Sequence, residues 1–256
     1  MAMKIHAIKA FNDNYIWCLH NAQHCVVVDP GDAQPVLDYC QSQQLTLVGI
    51  LITHHHWDHT NGLPALLQAF PGIPVFGPHN PKIESINQRL QHRDCITLPE
   101  LKLELSVLEV PGHTLDHIAY YSPGLLFCGD TLFSAGCGRL FEGSATQMYQ
   151  SLSQLAALPG DTKVYCTHEY TLANIKFALA VEPNNAALLE YQLWAQQQRS
   201  QQLPTLPSTI AKEHTFNPFL RCASVALRSA VKAHDSKTMN DDESVFAALR
   251  SWKDQF

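Results

Sequence analysis

The chain has 256 residues, of which 46% are hydrophobic and 16% are charged, a balance typical of a folded globular protein. Its formal net charge of −6 argues against nucleic acid or an anionic membrane as the main partner, because both select basic surfaces. The apolar runs are far shorter than the roughly 20 residues of a membrane span, and the N-terminus lacks a secretory pattern. We therefore expect a cytoplasmic protein with no nucleic-acid and no membrane partner.

The first two thirds of the chain alternate strand-like and helix-like segments. Apolar or alternating patterns predict strands at residues 4–10, 15–20, 25–29, 48–53, 75–77, 101–110, 118–121, 125–128 and 163–167. Helical spacing predicts helices at 34–43, 63–69 and 146–157, the last of them with Ser144 as its N-cap. Most of the strands are continuous apolar runs, while the 101–110 segment alternates. This mixture favours sheets covered by helices, with at least one strand half-exposed.

The last third of the chain changes character and is rich in Ala, Leu, Gln and Arg with helical spacing. Helices are predicted at 169–182, 186–201, 223–233 and 244–255, with breaks at Pro183, at residues 204–207 and at Pro218. We therefore expect a larger domain at residues 1–168 and a helical domain at residues 169–256.

Eight cysteines are present, and none belongs to a Cys-x-x-Cys pair. Most lie in apolar strand-like runs, so we interpret them as buried, reduced packing residues.

Histidines and aspartates follow four of the predicted strands at the points where these strands end. A lone loop histidine is usually an ordinary surface residue, but a set of this size at strand ends points to one cavity. One metal ion needs only three or four ligands, whereas six nitrogen or oxygen ligands and a bridging carboxylate suit two ions about 3.5–4 Å apart. The candidate ligands are His54, His56, Asp58, His59, His113, Asp130 and His168.

In these motifs the sequence resembles the metallo-β-lactamase superfamily and, within it, the glyoxalase II (hydroxyacylglutathione hydrolase) family. The His-rich motif alone identifies only the superfamily, and the Gly-Cys-Gly-Arg segment at 136–139 and the tail at 250–256 narrow it. The resemblance also covers residues 11–15, 28–31, 168–170 and 217–219. It implies an α/β fold, an αββα sandwich with a helical C-terminal domain. Residues 1–168 would then be the catalytic domain and 169–256 the substrate-binding domain.

The resemblance also implies how the ligands divide between two divalent metal ions per chain, with zinc favoured and iron or manganese as alternatives. Asp58 and Asp130 are in addition assigned as catalytic. Asp29 has two open interpretations, either as the acceptor for the free N–H of a ligating imidazole or as an ordinary loop carboxylate. His55 is expected to point away from the ions. The implied sets are His54, His56 and His113 for one ion, Asp58, His59 and His168 for the other, and Asp130 as the bridge.

The activity implied by the resemblance is hydrolysis of S-(R)-lactoylglutathione to glutathione and (R)-lactate, the second step of methylglyoxal detoxification, by a monomer. A hydroxide bridging two ions would supply the nucleophile. Relatives often have Lys where Arg139 stands and Tyr where Phe141 stands. Phe141 therefore lacks the hydroxyl donor that a tyrosine would offer at this position. The residues implied to bind the substrate are Arg139, Phe141, His168, Tyr170, Arg250 and Lys253.

Two other functions stay open from the sequence. One is a single-iron glutathione persulfide dioxygenase of the same superfamily, and the other is a noncatalytic metal-binding protein. The absence of a Gly-x-Ser-x-Gly segment disfavours a serine hydrolase.

Overall fold

The computed structural model describes residues 3–235 and 240–256, and the chain forms two compact units. The first unit comprises Met1–Glu109 and Asp116–Gly129, and the second comprises Val110–Leu115 and Asp130–Phe256. The division into domains at residue 168 stays a prediction.

The first unit combines β-strands with short helices. Its helices are α1 (Ala33–Gln43), α2 (Trp57–Thr60) and α3 (Leu63–Ala69), with a 3₁₀ turn at Pro99–Leu101. Its strands are β1 (Lys4–Ala10), β2 (Asn14–His20), β3 (His24–Val28), β4 (Thr46–Leu51), β5 (Val75–Pro78), β6 (Gln88–Leu90), β7 (Cys95–Leu98), β8 (Leu103–Glu109), β9 (Ile118–Ser122) and β10 (Leu125–Gly129).

Two sheet regions make up this unit. Strands β1 to β6 lie in sequence order in one sheet, antiparallel from β1 to β3 and parallel from β3 to β6. Strands β7 to β10 pair antiparallel with their neighbours. One face of the first sheet packs on α1 and α3 through a core that includes Ile16, Val27 and Val36. Tyr120 of β9 donates its hydroxyl to Ile52 O at 2.8 Å, so β9 also contacts the end of β4.

The second unit is mainly helical. Its strands β11 (Leu132–Phe133) and β12 (Gly136–Cys137) pair antiparallel, as do β13 (Lys163–Cys166) and β14 (Ser208–Thr209). A 3₁₀ turn spans Pro218–Leu220. The helices are α4 (Ala145–Ala156), α5 (Thr171–Val181), α6 (Ala186–Ser200), α7 (Ile210–Phe216), α8 (Val225–His234) and α9 (Asp242–Gln255).

The predicted long helices and strands are confirmed. Most of their predicted ends lie within about two residues of the observed ends, which is the usual disagreement between two ways of assigning secondary structure. Ser144 caps α4 as predicted, in a capping box with Gln147. The prediction missed α2, α7 and five short strands, because segments of two to seven residues carry too little periodicity. All eight cysteines are free and only Cys95 is exposed, so the reduced, packed state is confirmed for the others.

Within the described part of the chain, no helix is long and apolar enough to cross a membrane.

Candidate metal centre

The His-rich segment of the first unit lies between β4 and α3 and is fixed by close backbone contacts. His54 is fully buried, and α2 begins at Trp57, directly after His56. A Cβ on Gly31 would lie 1.8 Å from Asp58 O, so only glycine lets the Asp58 backbone approach. The position of the segment therefore depends on the Gly31 turn after β3.

Asp29 is the carboxylate behind this segment, and it is only 1% exposed. It accepts hydrogen bonds from Thr53 N at 2.8 Å and Thr53 Oγ1 at 2.7 Å. Its Oδ2 also lies 3.0 Å from His59 Nδ1. Of the two interpretations left open by the sequence, this distance favours the first, in which Asp29 faces the N–H of a candidate ligand.

These contacts fix where the imidazole protons lie. Thr53 Oγ1 gives its proton to Asp29, so it must accept from His54 Nδ1, which lies 3.0 Å away. His59 Nδ1 lies 3.0 Å from Asp29 Oδ2, and the negative charge of this carboxylate favours a proton on that nitrogen. Both rings therefore present an unprotonated Nε2. Nε2 of His54 lies 3.0 Å from His56 Nδ1, and Nε2 of His59 lies 3.6 Å from Asp58 Oδ2.

Asn14 holds the other side of the Asp58 carboxylate. Its amide donates to Asp58 Oδ2 at 3.0 Å, so the start of β2 orients a candidate ligand. From the sequence alone, residues 11–15 stand out only as part of a resemblance to a known family. The role of Asn14 depends on a contact between distant parts of the chain, which no local sequence pattern reveals.

His55 and His117 are the other two histidines of this region. His55 Nδ1 pairs with Asp116 Oδ1 at 2.9 Å, and the expectation that His55 points away from the ions stays a prediction. His117 is buried and stacks on His54 with ring centroids 4.6 Å apart. It therefore positions a candidate ligand. The only available signal was its place four residues after His113.

In the second unit, two histidines face one aspartate. His113 Nδ1 donates to Arg139 O at 2.8 Å, which leaves Nε2 unprotonated, 3.5 Å from Asp130 Oδ2. His168 Nε2 lies 3.3 Å from the same oxygen. A Cβ on Gly138 would lie 1.9 Å from Asp130 O, so the second glycine of the Gly-Cys-Gly segment cannot be replaced by a residue with a side chain.

The donor set of each unit fits a divalent cation. An unprotonated Nε2 and a carboxylate oxygen are both acceptors, so the pairs His59–Asp58 and His113–Asp130 repel each other unless a cation or an extra proton lies between them. Imidazole and carboxylate together suit zinc, iron and manganese. All seven predicted ligands are among the residues whose ligand atoms group closely enough to hold a metal ion: His54, His56, Asp58, His59, His113, Asp130 and His168.

Aromatic residues of the second unit lie beside its candidate ligands. Tyr170 stacks on His168 with centroids 4.6 Å apart and planes 2° from parallel. Phe141 is 60% exposed and contacts His113 edge to face at 5.2 Å. The Arg139 guanidinium lies over the Phe141 ring, 5.6 Å from its centroid, and its side chain is 63% exposed.

The two predicted cations of α9 differ in environment. Arg250 is 5% exposed and donates to Cys137 O at 3.1 Å and to Asp254 at 2.9 Å. Lys253 Nζ donates to Asn174 Oδ1 at 2.8 Å. Burial, and then the positive charge of Arg250, lower the pKa of Lys253 to about 8. Lys253 can therefore lose its charge in mildly alkaline solution.

Comparison with known proteins identifies the family. Residues 12–168 match the family model of the metallo-beta-lactamase superfamily, and residues 169–256 match the hydroxyacylglutathione hydrolase C-terminus. A hydroxyacylglutathione hydrolase of Nitrosomonas eutropha is 52% identical over 249 residues, with 97% of each chain covered. One of Shewanella baltica is 55% identical over 263 residues, with 99% of this chain and 100% of that protein covered.

Among solved structures, ETHE1 from Myxococcus xanthus superposes with a TM-score of 0.66 at 24% identity, covering 99% of this chain and 98% of the other. This likeness bears on the fold alone and confirms the predicted α/β class with its helical C-terminal region. The chain therefore belongs to the hydroxyacylglutathione hydrolase family of the metallo-β-lactamase superfamily.

Proposed function

We propose that this protein hydrolyses the thioester bond of S-(2-hydroxyacyl)glutathione, with S-(R)-lactoylglutathione as the substrate and glutathione and (R)-lactate as products. The observation that carries the proposal is that Nδ1 of His54, His59 and His113 each faces a hydrogen-bond acceptor. Their Nε2 atoms are therefore left to bind a cation, and those of His59 and His113 face a carboxylate across a gap suited to one. Relatives about half identical over nearly the whole chain are named for this hydrolysis.

The seven candidate ligands would hold two divalent ions, because seven nitrogen and oxygen donors exceed what one four-coordinate ion uses. Zinc is favoured, and iron and manganese are alternatives. When bound, such ions supply a nucleophile by lowering the pKa of water toward about 7, and they polarise the thioester carbonyl. We assign His54, His56 and His113 to one ion, Asp58, His59 and His168 to the other, and Asp130 to both.

The chain's own residues position these groups. Asp29 and Thr53 keep the protons of His59 and His54 on Nδ1, and Asn14 fixes the rotamer of Asp58. Asp58 and Asp130 are the catalytic carboxylates of the proposal, because they hold the reacting water in place. A thiolate leaves readily at neutral pH, so no separate acid is required for the sulfur.

The glutathione part of the substrate carries two carboxylates, and the second unit supplies cations to bind them. Arg139 is the most accessible of these, and its guanidinium is ordered over Phe141. Lys253 is a second donor, with a charge that depends on pH. Tyr170 and Phe141 offer exposed rings beside His168 and His113, which complete the proposed substrate-binding set together with Arg250.

Arg250 serves this set in a different way. Its two Nη atoms already donate to the Cys137 carbonyl and to Asp254, so it holds α9 against the Gly-Cys-Gly segment. We assign it mainly to positioning the neighbouring cations.

The two other functions considered from the sequence are not favoured. Neither a persulfide dioxygenase nor a noncatalytic metal-binding protein accounts for curated relatives at about half identity that are named as hydrolases. The monomeric state and the cytoplasmic location stay predictions.

The experiment is the hydrolysis of S-(R)-lactoylglutathione by purified protein before and after removal of metal with a chelator. We expect fast turnover that is lost with the metal and restored by zinc, iron or manganese. The metal-to-protein ratio of the restored enzyme should approach two. Absence of turnover in fully metallated protein would contradict the proposed function, and a ratio of one would contradict the two-ion assignment.

A further inference from the structure

Two large aromatic side chains of the first unit are exposed together beside the candidate metal ligands. Phe11 is 45% exposed and Trp57 is 64% exposed, and their rings meet edge to face with centroids 5.0 Å apart. Trp57 lies between His56 and Asp58 in the chain, so its position is tied to the metal site. A neighbouring pair of exposed aromatic rings is typical of a binding surface.

The pair is held in place by the same contacts that hold the candidate ligands. Phe11 has a φ of 49°, a left-handed conformation that a bulky residue rarely adopts. It lies in the turn from β1 to β2, where Ala10 pairs with Asn14. Asn14 in turn donates to the Asp58 side chain, at 3.0 Å. The turn is therefore anchored to the segment that carries Trp57, and the surface is preorganised.

The chemistry of this surface suits an apolar group. It presents two ring systems and one indole N–H, whereas the cations proposed to bind the glutathione carboxylates belong to the second unit. In a thioester, the acyl group and the sulfur leave the carbonyl carbon in different directions. Within the first unit, the two rings lie next to the candidate ligands His56 and Asp58, so an acyl group whose carbonyl is held at these ligands would reach them.

We propose that Phe11 and Trp57 form the surface that binds the acyl substituent of the substrate and that they raise the activity of the enzyme on acyl groups bulkier and more apolar than lactoyl. This inference rests on the proposed function and extends it to specificity. A phenyl-bearing 2-hydroxyacyl group, as in S-mandeloylglutathione, would contact the rings, whereas the lactoyl methyl reaches little of their area. An aromatic contact of this kind changes a rate by about threefold to tenfold.

The test is kcat/KM for the mandeloyl and lactoyl thioesters of glutathione in the wild type and in W57A, F11A and W57F. We expect the mandeloyl-to-lactoyl ratio to fall about threefold to tenfold in W57A, to fall less in F11A and to stay close to wild type in W57F. W194A is the matched control, because Trp194 is also exposed but stacks on Tyr191 of α6, and its ratio should not change. An equal loss for both substrates in W57A would overturn the proposal, since it would mean that Trp57 merely supports the metal segment.

Two further measurements separate the remaining explanations. Inhibition by glutathione itself should be unchanged in W57A, and a weaker inhibition would overturn the proposal by assigning Trp57 to the thiol part. If the wild type hydrolyses neither thioester, the proposed function fails, and the acyl surface is then tested by tryptophan fluorescence. Quenching by mandelate that exceeds that by lactate and is lost in W57F would support the surface, and identical quenching in both proteins would overturn it.

Discussion

Substitution of Asp29 by Asn should change the proton positions of two candidate ligands at once. The Thr53 N–H can only donate, so the amide oxygen of the new side chain must stay where Oδ1 lies now, 2.8 Å from Thr53 N. The amide NH₂ then takes the place of Oδ2, beside Thr53 Oγ1 and His59 Nδ1. As a donor, it forces His59 to accept at Nδ1 and allows the Thr53 hydroxyl to donate to His54.

The result is a proton on Nε2 of both imidazoles, which cannot then bind a metal ion through that atom. Loss of such an outer contact typically lowers metal affinity by about 10- to 100-fold for each ligand, so D29N should bind metal at least roughly 100-fold more weakly. Hydrogen bonds to a charged acceptor are worth about 1.5–3 kcal/mol each. Because Asn keeps some of these bonds in neutral form, we expect the metal-free protein to lose about 2–3 kcal/mol of stability.

The assay is competition with a chelator of known affinity, combined with nitrogen NMR of the imidazole rings to identify which nitrogen carries the proton. D38N is the matched control, since the Asp38 carboxylate accepts only an exposed bond from Gln34 in the structure as described. Wild-type metal affinity in D29N, or Nδ1 protonation retained in both rings, would refute the reasoning.

Three other perturbations test separate parts of the site. Because the pKa of Lys253 is lowered to about 8, its charge is present below that pH and lost above it. KM for glutathione thioesters should therefore rise about threefold to tenfold from pH 7 to pH 9. K253R should show no change in KM over this range, because arginine keeps its charge. R139A should raise KM severalfold with the metal content unchanged, and loss of metal would contradict the assignment of this side chain to the substrate. G31A should lower the melting temperature and the metal affinity, because the new Cβ would lie 1.8 Å from the Asp58 carbonyl oxygen. G49A is the control, because its Cβ would make only ordinary contacts beyond 3.5 Å. Equal effects of the two substitutions would contradict the role of Gly31 in positioning the His-rich segment.

The ligand motifs were predictable from the sequence because each follows a strand whose apolar pattern is local. The role of Asp29 was not predictable in this way, because that role depends on how two strands pair. Val28 pairs with Leu51 in the parallel register of β3 and β4, and Asp29 N donates to Leu51 O at 2.9 Å. This register brings Asp29 next to Thr53. The spacing within either strand contains no information about the pairing.

The burial of Arg250 could not be predicted from the sequence either. The spacing of Arg250 and Lys253 correctly predicts that they share a helix, but an arginine on a terminal helix is expected to be solvated. Arg250 is instead 5% exposed, because it donates to the Cys137 carbonyl of β12. Its partner in β12 is a main-chain atom, which any residue at position 137 would supply, and its other partner, Asp254, belongs to α9 itself. No residue type in the sequence could therefore signal this contact.

The same distinction between main-chain and side-chain partners explains how one short segment can serve both the metal and the substrate. His113 is oriented by the carbonyl of Arg139, while the guanidinium of the same residue lies over Phe141 with most of its surface exposed. A substitution at position 139 changes the guanidinium but leaves the carbonyl in place, so the charge that faces the substrate can vary without disturbing the ligand. Asp29 has no such freedom, because its contacts to Thr53 and His59 are all made by the side chain. A Lys in place of Arg139 is thus compatible with unchanged candidate ligands, whereas replacement of Asp29 is not.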